Sequence, residues 1–392
     1  MKSGLANNNL FIMINKIAVI LYTQGLDYDD RIRKEILSIM KLYPNISFKI
    51  FAIDPKNREE ESVSSYGVPY RIPYLKSRDK YASATHTVAK TWDFYKTVKN
   101  DLKEYDVIWC ADIETFVFTL LLRGKRIVWD LHELPSPFIG NPILKALFRY
   151  IENRCAVMIH ANESRLKYLQ SKGMIRHQQK QYVLRNYPMF DEIDTEYDDL
   201  YCSFDKWVGE SKCVYMQGLA GIDRADIESI GAVLSFKELK GVVVGWIQPE
   251  RMKIFEEKFG KELLQERIFF AGQIKQLKTP QFIKRCFMSL VFYKNSSPNN
   301  WYCEPNRLFQ SLINGIPAVV GNNPTMKEIV GKNHFGICID TDGSDLQKII
   351  NGINYMLNHC ETIVFNLSKK SGALIWDNQE NVIKAIVNKL CE

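Results

Sequence analysis

The chain has 392 residues, of which 46% are hydrophobic and 25% are charged, and its formal net charge is +7. This length allows two domains with sizeable cores, and the composition excludes a wholly disordered or fibrous chain. The nine cysteines include no Cys-x-x-Cys pair, which favours neither a disulfide framework nor a zinc module. The positive charge favours an anionic partner, which leaves phosphate-bearing substrates, a membrane surface and nucleic acid open.

The first apolar segment, residues 10–22, is interrupted by Asn15 and Lys16, and no small-residue cleavage site follows it. We expect a first buried strand over Lys16-Ile-Ala-Val-Ile-Leu-Tyr22, preceded by a disordered extension over residues 1–15. No later stretch reaches the roughly 18 apolar residues that a membrane-spanning helix needs. The predicted location is the cytoplasm, with peripheral contact at the inner face of the plasma membrane as a further option.

Strand-like runs then alternate with helical patterns, which predicts parallel sheets built from βαβ units. The strands predicted in the first half are Ile17–Tyr22, Phe48–Ile53, Asp106–Cys110, Arg126–Asp130, Val157–Ala161 and Tyr182–Arg185. Between the first two of them, apolar residues recur at helical spacing from Ile32 to Tyr43, a stripe that would pack on a sheet.

The alternation breaks near residue 186 and restarts near residue 213. The break contains Tyr-Pro and a cluster of acidic residues, which predicts an interdomain linker over 191–211. The strands predicted after it are Cys213–Met216, Val242–Gly245, Ile268–Ala271, Leu290–Tyr293, Ala318–Gly321 and Gly336–Ile339. We expect two doubly wound domains, residues 16–190 and 212–375, that face a central cleft and bind ligands beyond the carboxyl ends of their strands.

Residues 70–103 combine basic and aromatic side chains, for example Arg71, Lys80, Trp92 and Lys96. Such a segment can form a surface that meets anionic lipid. The preferred interpretation is a solvated helix face whose aromatic side chains lie in the core. A nucleic-acid partner is not expected, because no clustered motif of a known binding module is present.

The segment Glu304-Pro-Asn-Arg-Leu-Phe-Gln310 predicts a loop followed by a short helix. Pro305 suits the first helical turn, where free backbone N–H groups favour an anion. Arg307 adds charge-assisted hydrogen bonds, and the two together suit a diphosphate. Asn306 and Gln310 are four residues apart and so share the helix face that a nucleotide sugar would meet. An ordinary capped helix of an α/β protein is the alternative.

Five further segments complete a pattern that covers nearly the whole chain. They are Asp29-Asp-Arg-Ile-Arg-Lys-Glu35, Trp109-Cys-Ala-Asp-Ile-Glu114, Val128-Trp-Asp-Leu-His-Glu133, Val183-Leu-Arg-Asn-Tyr-Pro188 and Trp376-Asp-Asn-Gln-Glu380. In this order, together with Glu304–Gln310, they resemble the retaining nucleotide-sugar glycosyltransferases of the GT-B architecture, family 4. The resemblance is greatest to the bacterial branch that builds capsular, exopolysaccharide and lipopolysaccharide chains.

The resemblance implies an α/β protein with two Rossmann-like, doubly wound parallel-sheet domains, whose last helix, in residues 376–392, crosses back to the first domain. It implies transfer of a hexose-type sugar from a nucleotide-diphosphate sugar to a hydroxyl of a glycan or lipid-linked acceptor, with retention. No metal or other cofactor is expected, because N–H groups and basic side chains already in place can stabilise the leaving diphosphate.

On the acceptor side, the resemblance places His132 near the reacting sugar, where it would contact a hydroxyl or move a proton. A histidine satisfied in the core is the alternative. Asp112, Asp130 and Glu133 are the acceptor-binding candidates, and capping of a helix is an equal alternative for Asp112.

On the donor side, the implied residues are Gly25, Gly218, Arg224, Glu304, Asn306, Arg307, Leu308 and Gln310. Arg224 is the only base in its loop, since Gly218 or Leu219 occupies the position of a second base found in many relatives. Two glutamates of many relatives are replaced by Tyr302 and Gln310, although the amide of Gln310 can still accept a ribose hydroxyl. Glu304 lies nearby and is the candidate catalytic carboxylate.

Two other functions remain open at this point. A sugar-nucleotide epimerase can share the same two-domain architecture. The changed glutamate positions also fit a binding subunit that keeps the fold and has lost catalysis. The sequence does not name the base, the sugar or the acceptor.

Overall fold

The computed structural model describes residues 13–24, 30–54, 56–81, 85–189, 196–219 and 221–392. The chain divides into two compact units. One contains the described residues up to Arg185 together with Gln379–Glu392, and the other spans Asn186–Asn378. Gly25 and most of the expected N-terminal extension lie outside the described residues. Asn15, at the end of that extension, is ordered, because its N–H donates to Asp106 at 2.8 Å and its carbonyl accepts from Ser47 at 2.8 Å.

The first unit is built on one eight-stranded sheet. Its strands are β1 (Lys16–Gln24), β2 (Ser47–Ile53), β3 (Glu60–Val63), β4 (Pro69–Ile72), β5 (Val107–Ala111), β6 (Arg126–Leu131), β7 (Val157–His160) and β8 (Gln181–Val183). They lie in the order β3-β4-β2-β1-β5-β6-β7-β8, and β3 pairs antiparallel with β4 while the other pairs are parallel. The sequence patterns missed the edge strand β3 and its neighbour β4, because each has only four residues and neither contains a run of buried apolar residues.

The helices of the first unit before the second sheet are α1 (Asp30–Leu42), α2 (Lys76–Lys80), α3 (Thr87–Val98), α4 (Phe116–Leu121), α5 (Ser136–Gly140), α6 (Pro142–Arg154) and α7 (Glu163–Ser171). The predicted apolar stripe of α1 is buried through Ile32, Ile36 and Ile39. The same helix also buries the charged residues Arg31, Lys34 and Glu35, which the apolar pattern did not indicate.

The second unit is built on six parallel strands. They are β9 (Lys212–Gln217), β10 (Leu239–Val244), β11 (Ile268–Gly272), β12 (Met288–Val291), β13 (Ala318–Val320) and β14 (Gly336–Cys338), in the order β11-β10-β9-β12-β13-β14. The strand order therefore reverses between β9 and β12. At such a switch point the connections leave in opposite directions, which opens a crevice at the carboxyl ends of the two strands.

The remaining helices are α8 (Asp199–Val208), α9 (Asp226–Leu234), α10 (Pro249–Phe259), α11 (Lys261–Arg267), α12 (Thr279–Lys284), α13 (Pro298–Trp301), α14 (Asn306–Ile313), α15 (Pro324–Met326), α16 (Leu346–Lys370) and α17 (Glu380–Cys391), with a π-helical turn over Lys327–Gly331. The last of them, α17, belongs to the first unit, where it packs on α1, β7 and β8. Lys41 and Glu380 join α1 to α17 at 2.6 Å.

The segment 191–211 is not all linker. Its second half forms α8, which is capped by Asp198 and buries Phe204 and Val208 in the second unit. Tyr201, Phe204 and Val208 recur at helical spacing, so the sequence carried a signal for this helix that the linker prediction did not use. In the described parts of the chain, no helix is both long and apolar enough to cross a membrane.

Candidate functional site

The carboxyl ends of β5 and β6 bring together Asp112, Asp130 and His132 of the first unit. The strands pair in parallel as far as Ala111 and Asp130, so the residues that follow emerge at one edge. The His132 ring places Nδ1 3.2 Å from Oδ2 of Asp112 and Nε2 2.9 Å from Oδ2 of Asp130. Its backbone carbonyl accepts a hydrogen bond from Arg165. Both ring nitrogens face carboxylates, and only an imidazolium can donate to both.

The charges of Asp130 and His132 hold each other in the ionised form. Burial alone would lower the pKa of His132, but the carboxylates of Asp112 and Asp130 raise it well above its usual value. Burial would raise the pKa of Asp130, but the cations Arg31 and His132 hold it well below its usual value. His132 is therefore a fixed cation near neutral pH, and the sequence-based expectation that it moves a proton there needs correction.

Asp112 has an unusual backbone conformation at the end of β5. Its φ is 63° and its ψ is 169°, a region that residues with a Cβ rarely adopt. Its N–H donates to the carbonyl of Asp130 at 2.8 Å, and its carbonyl accepts from Trp129 Nε1 at 3.0 Å and Thr115 Oγ1 at 2.7 Å. The side chain caps no helix and is turned to His132, with 18% of its surface exposed. The cluster thus presents Asp112 and His132 to solvent.

Asp130 does not fit the acceptor-binding role that the sequence suggested. Its side chain has no exposed surface, and Arg31 donates to Oδ2 at 3.1 Å and to Oδ1 at 2.8 Å. It is instead the buried partner of Arg31 and His132. Glu133, by contrast, is exposed. Arg31 was missed as a site residue, because the apolar stripe of α1 does not indicate the burial of a charged side chain.

In the second unit, Arg307 ties together the ends of β9 and β12. Its Nη1 donates to the carbonyls of Gln217 and Gly218, the latter at 3.2 Å, and its Nη2 donates to the carbonyl of Phe292 at 3.0 Å. Burial lowers the pKa of Arg307 to about 10, and none of the carboxylates in the described residues forms an ion pair with it. Most of the guanidinium is committed to the strand ends, so a direct diphosphate contact is not its main interaction here.

Tyr293, which follows β12, packs against two guanidinium groups. The guanidinium carbon of Arg224 lies 3.8 Å from the ring centroid, and that of Arg307 lies 4.9 Å from it. The turn that carries Arg224 is fixed to the same strand end, because Lys294 N–H donates to the carbonyl of Asp223 at 2.8 Å. Two cations are thus held at the switch point between β9 and β12. The sequence placed Tyr293 at a strand end but did not identify it as a site residue.

Arg307 lies in the first turn of α14, and its hydrogen bonds bring the start of this helix to the ends of β9 and β12. The helix begins at Asn306, with Pro305 as its N-cap residue, and no side chain in the described part of the chain caps it. Asn306 is exposed whereas Gln310 is buried, so the two do not share one accessible face. The Oε1 atom of Gln310 is buried, and no described residue donates to it.

Three other predicted donor residues differ in how they are placed. The side chain of Leu308 lies in the core, and its N–H donates to the carbonyl of Pro305 at 2.9 Å. Neither the side chain nor the N–H of Leu308 is therefore placed to contact a ligand. Glu304 is half-buried in the loop before α14. Gly218 has a φ of +61° and donates its N–H to the Val244 carbonyl at 2.8 Å, so it needs the conformational freedom of glycine.

Comparison with known proteins gave matches at the level of structure. No protein-family model matches the sequence, and no curated protein matches it significantly. Sucrose-phosphate synthase from Thermosynechococcus elongatus has a similar structure, with a TM-score of 0.77 and 13% identity, over 96% of this chain and 99% of that chain. The chain has the GT-B fold.

Two further GT-B structures show the same similarity. HepE from Anabaena, solved in complex with UDP-glucose, gives a TM-score of 0.70 at 14% identity, over 95% of this chain and 99% of that chain. A UDP-forming α,α-trehalose-phosphate synthase from Burkholderia xenovorans gives a TM-score of 0.70 at 10% identity, over 96% of this chain and 99% of that chain. The predicted fold class, two Rossmann-like parallel-sheet domains, is confirmed. At these identities the similarity shows the fold and leaves the family and the substrate open.

Proposed function

We propose that this protein is a retaining glycosyltransferase that moves a hexose-type sugar from a nucleotide-diphosphate sugar to a hydroxyl of a glycan or lipid-linked acceptor. The observation that carries the proposal is the pair of arginines, Arg224 and Arg307, held on Tyr293 at the β9 and β12 ends. Arg307 is buried and forms no ion pair with a described carboxylate, so an anionic ligand nearby would offset the cost of burying its charge. The uncapped start of α14 adds backbone N–H groups that favour the same charge.

A nucleotide diphosphate is the anion that best suits this place in the fold. Ligands of doubly wound sheets bind at switch points, and the arginine pair lies at the one between β9 and β12. The HepE structure, which shares the fold, holds UDP-glucose. In our proposal Arg224 contacts the diphosphate, Asn306 and the N–H groups of α14 assist it, and Arg307 acts mainly by fixing the loop at Gly218. No resident metal is needed, because these groups supply the positive potential.

In the first unit, Asp112 is the proposed contact to the acceptor hydroxyl. Its carboxylate is partly exposed and is held by the His132 imidazolium at 3.2 Å. A carboxylate in a fixed position can accept a hydrogen bond from a hydroxyl and orient it. His132 is the group that holds Asp112 in place. The strained backbone of Asp112 supports a functional role, because such strain is often retained at active sites.

We place the reaction in bacterial surface-polysaccharide synthesis, at the cytoplasmic face of the membrane. The support is the motif resemblance and one surface feature of α3. Val88 and Trp92 of α3 are 62% and 42% exposed, and Lys96 Nζ lies 5.4 Å from the Trp92 ring. Apolar and aromatic side chains next to a lysine suit an anionic lipid interface.

The first test is a thermal-shift panel of uridine, guanosine, adenosine and thymidine diphosphates and their sugars, with EDTA present. A ligand at a hundred times its Kd should add about 2.7 kcal/mol of stability. We expect one nucleotide to shift the melting temperature clearly. We also expect sugar transfer from the corresponding sugar nucleotide to a glycan or lipid-linked acceptor.

No shift with any diphosphate would refute the donor site. Epimerised sugar nucleotide without an acceptor would favour an epimerase, and binding without turnover would favour an inactive subunit.

A second test addresses the tyrosine platform. Tyr293→Leu removes the ring on which Arg224 lies, and a cation–π contact contributes about 1 to 2 kcal/mol when partly buried. We expect the Kd for the preferred nucleotide diphosphate to rise roughly 5- to 30-fold, measured by calorimetry. Tyr293→Phe keeps the ring and should bind like the wild type. Equal affinity for Tyr293→Leu and the wild type would show that Tyr293 does not hold Arg224 for the ligand.

A further inference from the structure

The helix α1 carries two charged residues into the core of the first unit. Arg31 is 4% exposed and Glu35 is 1% exposed, and Arg31 Nε lies 3.1 Å from Oε1 of Glu35. The guanidinium is already used elsewhere, since it donates to both carboxylate oxygens of Asp130 and to the carbonyl of Leu184 at 2.7 Å. Glu35 is therefore a second carboxyl group beside Arg31, whose N–H groups already donate to Asp130.

Among the described residues, Arg31 is the only cation that forms an ion pair with Glu35, and its N–H groups already donate to Asp130 and Leu184. Arg31 and His132 are the two cations, and Asp130 and Asp112 are the carboxylates that pair with them. Neither carboxyl oxygen of Glu35 accepts a hydrogen bond from a described residue. A buried carboxylate without a donor is costly. A proton on Glu35 would remove its charge and supply a donor to the neighbouring Asp130.

We propose that Glu35 is a positioning residue, kept as a neutral carboxylic acid whose O–H donates to Asp130. Arg31 and Glu35 then fix Asp130 as the carboxylate that holds the His132 imidazolium against Asp112. This gives a role to the Asp29–Glu35 segment, which the proposed function leaves unused. The link to catalysis rests on the proposed function, whereas the neutral state of Glu35 does not.

The electrostatics of the site agree with the geometry. Burial first, and the charge of Asp130 second, raise the pKa of Glu35 well above its usual value of 4.5. The groups that face it are Arg31 on its own helix and Asp130 and His132 at the end of β6. For an acid whose pKa is raised by folding, stability is fully present below the unfolded pKa and is lost as the pH rises through the folded pKa. Glu35 should thus cost stability increasingly above about pH 5.

The test is Glu35→Gln, which keeps the shape and a donor but cannot ionise. We expect its melting temperature to equal that of the wild type near pH 5 and to exceed it by about 2 to 4 °C near pH 8. Glu152→Gln is the matched control in the same unit. Glu152 is also fully buried, but it accepts hydrogen bonds from the N–H of His177 at 2.8 Å, from His177 Nδ1 at 2.8 Å and from Gln181 at 3.2 Å, so its variant should be less stable. A loss of stability in Glu35→Gln at neutral pH would overturn the proposal.

A second readout separates positioning from a purely structural role. In ¹⁵N-histidine NMR spectra, His132 should stay an imidazolium in Glu35→Gln, whereas Glu35→Met, which has no donor, should change its signal. With the sugar donor, Glu35→Met should lower kcat several-fold with little change in the donor KM, and Glu35→Gln should restore it. An unchanged kcat in Glu35→Met would refute the positioning role. If the wild type transfers no sugar at all, the proposed function fails, while the stability and NMR results still decide the state of Glu35.

Discussion

Asp130→Asn should lower the free energy of unfolding by about 3 to 5 kcal/mol, which is typical for breaking a buried ion pair. The variant keeps the shape of the side chain but leaves the buried Arg31 and the partly exposed His132 as cations beside a neutral amide. Urea denaturation at pH 7 measures the effect. Asp112→Asn is the matched control, because Asp112 also pairs with His132 but is partly exposed. Its loss of stability should be clearly smaller, and sugar transfer should be the property it affects.

The same prediction has a defined pH dependence. The lowered pKa of Asp130 contributes stability that is present above its unfolded pKa of 3.8 and is lost as the pH falls. The raised pKa of His132 contributes stability that is fully present below its unfolded pKa of 6.5 and is lost as the pH rises through its folded pKa. The difference between the wild type and Asp130→Asn should therefore shrink toward both extremes. A difference that does not vary with pH would contradict the ion-pair account.

Glu35 should reduce the loss of stability that Asp130→Asn causes. Without the negative charge of Asp130, Glu35 can ionise and become the partner of Arg31, 3.1 Å away. The double variant Asp130→Asn/Glu35→Gln lacks that option and should lose more stability than the two single changes together predict. Simple additivity would show that the two carboxyl groups do not interact.

Arg307→Ala should lower the free energy of unfolding by about 3 kcal/mol or more, because three backbone carbonyls lose their donors. The sequence alone predicts only a loss of donor binding by roughly 1.5 to 3 kcal/mol. Arg307→Lys keeps a charge but cannot form the same fork, so it should recover little. Denaturation with and without the preferred nucleotide measures both effects.

Arg224→Ala is the control for this second prediction. Arg224 packs on the same ring but is only half-buried, so its loss should weaken nucleotide binding by roughly 1.5 to 3 kcal/mol and leave stability nearly unchanged. If Arg307→Ala proves as stable as the wild type and only binds nucleotide more weakly, Arg307 is a direct ligand contact. The proposal that Arg307 acts mainly by joining the ends of β9 and β12 would then be refuted.

The strands and helix starts that were predicted correctly share one property: the residues that indicate them are consecutive or nearly so in the sequence. Buried parallel strands read as apolar runs, so the twelve predicted strands lie within two or three residues of observed ones. The four-residue strands β3 and β4 carry no such run and were missed. The apolar residues of α8 are spaced as in a helix and do not form a run, and α8 was taken for linker. Proline and arginine at 305 and 307 marked the start of α14 to within one residue.

By itself the sequence determined the α/β class, the two parallel sheets and the segments that reach the strand ends, because these follow from hydrophobic periodicity and turn residues. Only the tertiary structure decided what the charged side chains do. Asp130 and Arg307 were expected to face ligands, yet both are buried and hydrogen-bonded to groups far away in the chain. A side chain's partners and its pKa depend on which distant residues surround it. That is also why Glu35 and Tyr293 emerged as site residues only from the folded chain.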